Sequence, residues 1–160
     1  MTPSRASRKR AVRGAALLLC LSLLPWPARA ALGQDASGPL AAVEQLFRGM
    51  REAEPAMIRE VLAADVRFAV LDDRGISVET LEGWLAAVGA SGGRWEERIH
   101  DVEVRVDGAM ASVWAPYTFY LDGEPSHCGV DSIELLRDAE GWKITQISDT
   151  RRTEGCGDPD

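Results

Sequence analysis

The chain is predicted to be an α+β domain, with about three N-terminal helices packed on a mainly antiparallel sheet. Three observations carry this. Apolar residues repeat at spacings of three and four up to Val88, whereas the chain beyond Arg94 alternates with period two. Asp107-Gly108, Asp122-Gly123-Glu124-Pro125 and Asp138-Ala139-Glu140-Gly141 are turn signals that join the later strands in succession. Helices gathered before a run of hairpin-linked strands make a layered α+β fold rather than a parallel one.

The first helix opens at Ser37-Gly38-Pro39, with the proline near its first turn. Leu40, Val43, Leu46, Phe47 and Met50 form its apolar stripe. Pro55 ends that helix or starts a second, in which Met57, Ile58, Val61 and Leu62 make another stripe. Asp65–Leu71 reads as a strand and Asp72–Gly75 as a turn. Ser77 is the expected cap of a third helix, burying Leu81, Trp84, Leu85 and Val88 and ending at the glycines from Gly89 to Gly93. Arg94–Asp107 is one expected strand, with Val102, Val104 and Val106 alternating against acids and Arg105. Ile99 falls out of that phase and predicts a bulge near His100. Asp107-Gly108 turns the chain into the strand from Ala109, and two further hairpins follow.

Residues 1–30 read as a secretory signal peptide. A basic segment with Arg5, Arg8, Lys9, Arg10 and Arg13 precedes the short apolar run AALLLCLSLLPW and an Ala-x-Ala site. Cleavage is expected after Ala30, leaving residues 31–36 as a flexible start, a domain over 37–152 and a tail over 153–160. The chain is then periplasmic or secreted, with no membrane insertion after cleavage. Removing residues 1–30 takes away six of the 18 basic residues and no acid, leaving 12 basic against 25 acidic residues, a net charge of −13. Such a surface repels phosphate backbones and anionic lipids, which disfavours nucleic acid as a partner. Export also places Cys128 and Cys156 in an oxidising compartment, where an even pair is expected to bridge. Two cysteines and two histidines without close spacing make no zinc site, and no cofactor motif is present.

Ala111-x-Val113, Tyr117-x-Phe119-Tyr120-x-Asp122-Gly123, Ser126–Asp131, Gly141-Trp142-Lys143-Ile144 and Asp149–Arg152 together resemble the nuclear transport factor 2-like superfamily, most closely its exported SnoaL-like, lumazine-binding-labelled branch. The resemblance covers about residues 37–152. It implies a cone-shaped domain with a strongly curved sheet wrapped on the first helix; the apolar face of Val113, Tyr117, Phe119, Val130 and Ile147 is expected to pack against helices or to pair with a second copy in a homodimer. It does not imply one activity, because the fold hosts isomerases, cyclases, dehydratases and binding modules. Ketosteroid isomerase, of the same superfamily, uses one Asp as base and a second, protonated Asp as donor.

Strand parity sketches the pocket. If Leu121 and Ser126 flank the turn between them, even positions of one strand share a face with odd positions of the next. Trp114, Thr118 and Tyr120 then join His127, Asp131, Ile133 and Leu135. If Arg137 opposes Trp142, then Trp142 and Ile144 join them as an apolar floor, and Arg152 comes opposite His127. The expected ligand-binding residues are therefore Trp114, Tyr120, His127, Asp131 and Arg152, while Tyr117, Cys128 and Asp149 fall on the other face. His127 and Asp131 stand four residues apart, about 13 Å along a strand, too far for a direct dyad.

With no complete nucleophile–base arrangement, the sequence favours an exported, non-catalytic domain that binds a small, partly apolar molecule. The alternatives are a small acid–base enzyme (isomerase, cyclase or dehydratase) using Asp131 with Tyr120 or His127, and a purely structural dimerisation module.

Overall fold

The computed structural model describes residues 37–156; the expected signal peptide, the segment 31–36 and residues 157–160 of the tail lie outside the described residues. The elements run α1 (Ser37–Arg51), α2 (Pro55–Arg59), β1 (Leu62–Asp72), β2 (Gly75–Glu79), α3 (Leu81–Gly89), β3 (Trp95–Ile99), β4 (Glu103–Asp107), β5 (Met110–Leu121), β6 (Glu124–Asp138) and β7 (Gly141–Thr150). The α+β class is as expected. The sheet has the order β2-β1-β7-β6-β5-β3, with β4 also on β5, and among the described residues only the β1–β7 pair is parallel. Among the described residues no helix is long and apolar enough to cross a membrane.

The core lies between α1 and the inner face of the sheet. Val43, Leu46, Phe47 and Met50 leave the helix on one side, as their spacing dictates, and are buried. They meet Val113, Ala115, Ile133, Leu135 and Ile144, all of them fully buried. Ile58 from α2 and Leu85 and Val88 from α3 complete the cluster.

Two elements depart from expectation. Residues 75–79 form strand β2 rather than the start of a helix. Gly75 adopts φ 108°, the Asp72 carboxylate accepts from the Arg74 N–H at 2.9 Å, and the chain folds back on β1. Thr80 takes the capping role given to Ser77, accepting from the Gly83 N–H at 3.2 Å. The single strand expected over 94–107 is broken into β3 and β4, both paired with β5. The break faces Pro116, which has no N–H for the ladder but accepts at its carbonyl from the His100 N–H at 2.9 Å. Asp101, at φ 47°, turns the chain beside it.

Cys128 and Cys156 are joined, with Cα atoms 5.5 Å apart across 28 residues of sequence. The bridge ties the chain after β7 back to β6, where Cys128 and Arg152 exchange backbone hydrogen bonds of 2.9 and 3.0 Å. Closing a loop of that length contributes about 3.5 kcal/mol in the chain-entropy account.

Candidate functional site

The inner face of the sheet opens into a cavity of about 250 Å³ beyond the core. Two bulges decide which residues reach it. Leu121 opposes Glu124 and Tyr120 opposes Pro125, but Phe119 opposes His127, so Ser126 is an extra residue. Between β6 and β7, Leu135 opposes Ile144 and Glu134 opposes Gln146, leaving Thr145 unpaired. Its hydroxyl donates to the Glu134 carbonyl at 3.1 Å. Each extra residue reverses the parity of everything past it. Beyond them one inner row runs Ala115, Asp131, Asp149, Val70 and Ser77, and the next runs Val113, Ile133, Ile147, Phe68 and Glu79.

Aromatic rings make most of the apolar wall. Phe68 stacks on Trp84 with centroids 5.1 Å apart, and Trp95 meets Phe119 edge-on at 5.8 Å. Phe119 in turn stacks on His127 at 4.8 Å, and Tyr117 meets the same imidazole edge-on at 5.9 Å. Phe47 and Met50 close the helix side.

The polar wall is acidic. Asp131 is 4% exposed, and its Oδ2 has no hydrogen-bond partner. Burial pushes its carboxyl up to about 7; the Asp149 charge adds to this, while a hydrogen bond with Glu97 and the Arg151 charge oppose it. Burial raises Glu97 well above the usual carboxylate range as well, helped by the charge of Asp131 and their hydrogen bond. Burial thus holds both neighbouring carboxyls toward their protonated forms. Asp149 is held differently: its Oδ2 accepts from Arg151 Nε at 2.7 Å and from the Tyr117 hydroxyl at 3.4 Å. That hydroxyl also donates to the Thr150 carbonyl at 3.0 Å, and burial, then the Asp149 charge, raises its pKa further from neutrality. His127 is pushed down, by burial first and then by Arg151, which keeps the imidazole neutral at pH 7. Its Nδ1 lies 3.2 Å from the Ser126 hydroxyl.

Of the five residues expected in the pocket, His127 and Asp131 line the cavity. Trp114, Tyr120 and Arg152 do not, because the bulge at Ser126 turns the even positions of β5 outward and the bulge at Thr145 does the same for Arg152. Trp114 is 51% exposed on the outer face beside Glu103, Arg105 and Ser112. Tyr120 is buried on that face beneath the Arg98 guanidinium, 4.0 Å from its ring centroid. Arg152 lies in a groove with Asp72, Asp73 and Arg74 that shares His127 and Arg151 with the cavity. Tyr117 and Asp149, set aside from the sequence, are in the cavity with Arg151. Glu97 and Glu79 were not anticipated. The pattern Trp95-x-Glu97-x-Ile99 held the signal, since a carboxylate between two apolar residues of equal parity shares their face.

Among the described residues no group of three His, Cys, Asp or Glu side chains is placed to hold a metal ion. The acids instead adjoin an apolar cavity, an arrangement suited to a small molecule with one polar group.

No family model matches the chain, and no curated protein gives a significant match. Solved structures do. A nuclear transport factor 2-like protein of unknown function from Shewanella baltica superposes with a TM-score of 0.58 at 10% identity, over 74% of this chain and 94% of that one. A candidate dehydratase of the nuclear transport factor 2-like family from Streptomyces avermitilis gives 0.61 at 15% identity, over 74% and 96%. A nuclear transport factor 2-like protein from Cytophaga hutchinsonii gives 0.61 at 15% identity, over 71% and 94%. At these identities the likeness concerns architecture, and on that ground the chain has the nuclear transport factor 2-like α+β fold.

Proposed function

We propose that this domain binds a small, partly apolar molecule in its inner cavity and exchanges a proton with it through Asp131 and Glu97. The observation that carries this is an Asp131 carboxyl that is 4% exposed, lines the cavity and has an unpartnered Oδ2. A purely structural acid in such a place would be satisfied by a backbone amide or an arginine. Here the arginine is taken by Asp149, and the nearest partner of Asp131 is another acid. A pair holding one proton supplies an acceptor and a donor together, which is what isomerisation, cyclisation or dehydration of a bound molecule needs. The non-catalytic binding module favoured by the sequence gives way to this acid–base reading, because Glu97 supplies the second carboxyl the sequence did not reveal.

The test is the titration of the Asp131 side-chain carbon by nuclear magnetic resonance. The expected midpoint lies near 7, moving when Glu97 is replaced by Gln. A midpoint in the ordinary carboxylate range, about 4, would defeat the proposal.

Export to the periplasm or medium, following cleavage after Ala30, remains part of the proposal and is supported by the Cys128–Cys156 bridge. A second copy of the chain is proposed to cover the outer face. One row across it runs Trp114, Ser132, Ser148, Ala69 and Val78, with Trp114 and Val78 exposed at its ends and small residues between. Sedimentation is expected to report twice the chain mass, reduced to the monomer by Trp114→Glu. A monomeric wild type would refute that assembly.

A further inference from the structure

The charges around the cavity do not balance, and their sign identifies a class of ligand. Four carboxyl groups line it, Glu79, Glu97, Asp131 and Asp149, against one arginine, Arg151, and one imidazole, His127. Arg151 is consumed by Asp149 at 2.7 Å. His127 brings no charge at neutral pH, since burial and Arg151 both hold it in the neutral form. The helices contribute only apolar side chains to the lining: Leu46, Phe47 and Met50 from α1, and Trp84 and Ala87 from α3. Arg151, paired closely with Asp149, reaches Glu79 and the Glu97–Asp131 pair only by its charge, and Asp131 Oδ2 has an unfilled acceptor site.

We infer that the molecule taken by this cavity carries a basic nitrogen, bound as a cation with its N–H groups on Asp131 Oδ2 and its apolar body among Phe47, Phe68, Trp84 and Phe119. An ammonium meets the geometry on both sides. Its donors match an acceptor that is otherwise unsatisfied, and unsatisfied buried acceptors are costly. Its charge lies near aromatic faces, which attract cations where water is excluded. A carboxylate or phosphate in the same place would meet uncompensated acids. The inference rests on the proposed use of the cavity as a ligand site and adds the ligand's charge. It also has a proton consequence. A cation beside Asp131 favours its ionised form while Glu97, held higher by burial, keeps its proton as the donor, so binding near pH 7 expels the proton held on Asp131 to solvent. Affinity for a permanently protonated amine rises with pH as Asp131 loses its own proton.

The experiment compares benzylamine, benzyl alcohol and benzoate, three probes with one ring and different charge, by titration calorimetry on the intact protein in two buffers of unlike ionisation enthalpy. Benzylamine is expected to bind at least about tenfold more tightly than benzyl alcohol at pH 8, with benzoate weaker than either. Its affinity is expected to fall towards pH 6, and the buffer dependence to report proton release. Asp131→Asn should bring the amine within about twofold of the alcohol while the circular dichroism spectrum persists. Alcohol or benzoate binding as tightly as the amine would overturn the charge inference and leave the cavity as a ligand site. Failure of all three to bind would overturn both. An amine preference that survives in both Asp131→Asn and Glu97→Gln would overturn its placement on the pair.

Discussion

Gly129→Ala is expected to destabilise the domain by about 3–5 kcal/mol and to dismantle the polar wall of the cavity with it. Gly129 is buried on β6 opposite Tyr117. A methyl group there would fall on the carbonyl oxygen of Thr150 and within 3.0 Å of the Tyr117 ring. Neither neighbour yields cheaply. The Thr150 carbonyl belongs to the backbone of β7 and receives the Tyr117 hydroxyl, and the same hydroxyl reaches Asp149. Relief of the clash must therefore separate β6 from β7 or swing Tyr117 off both acceptors. Gly123→Ala provides the contrast. Gly123 has φ 88° and nothing near the added methyl, so only backbone strain of about 1–2 kcal/mol is expected. Urea unfolding of the two variants checks this. Equal losses would mean that conformation, and not the close approach of Thr150 to β6, is why position 129 holds glycine.

The elements were largely legible in the sequence because their signals are local. The stripe from Val43 to Met50 needs only helical period, and Asp107-Gly108, Asp122-Gly123 and the turn at Asp138–Gly141 need only turn chemistry. The site depended on register, which is not local. Counting outward from the hairpin at Asp122-Gly123 places Tyr120 and Trp114 inside only if no residue is skipped, and Ser126 is skipped. A bulge carries little signature of its own, since a serine beside a turn is unremarkable. The counter-signal was the face itself: Val113, Tyr117, Phe119 and Ile147 are more apolar than Trp114, Thr118 and Tyr120 with their polar neighbours, and the more apolar row is the one that joins the core. The partner of Asp131 was hidden for another reason. Glu97 lies in Arg94-Trp95-Glu96-Glu97-Arg98, a strand segment whose faces are unassigned until β3 is paired with β5 and Glu97 comes opposite Phe119. Its effect on Asp131 then arises from tertiary proximity between strands that no spacing in the sequence encodes.

Asp131→Asn is expected to make the protein more stable at pH 8 while removing the proposed proton exchange with the ligand. The sign follows from the direction in which burial moves the carboxyl. In the folded protein it is raised to about 7, whereas an unfolded chain releases that proton near 4. Between those values the folded state holds more protons than the unfolded one, so stability falls as pH rises. The contribution of Asp131 is fully present below about pH 4 and is lost as pH climbs through about 7. The gap between those two values sets an upper bound of about 4 kcal/mol on the cost of the buried charge at pH 8, and coupling to Glu97 makes the realised gain smaller. Asparagine keeps the shape, carries no charge, and brings an amide that can donate to Glu97. The variant should therefore match the wild type near pH 4 and exceed it by up to a few kcal/mol at pH 8, roughly 4 °C in Tm per kcal/mol for a domain of this size. Thermal unfolding across that range decides it. A variant that is less stable at pH 8, or a difference that does not change with pH, would mean that the Asp131 charge is satisfied in the folded protein. The expected outcome has the opposite meaning: the fold keeps at this position a carboxyl that weakens it, and the cost is tolerable only if the group is used on something that enters the cavity.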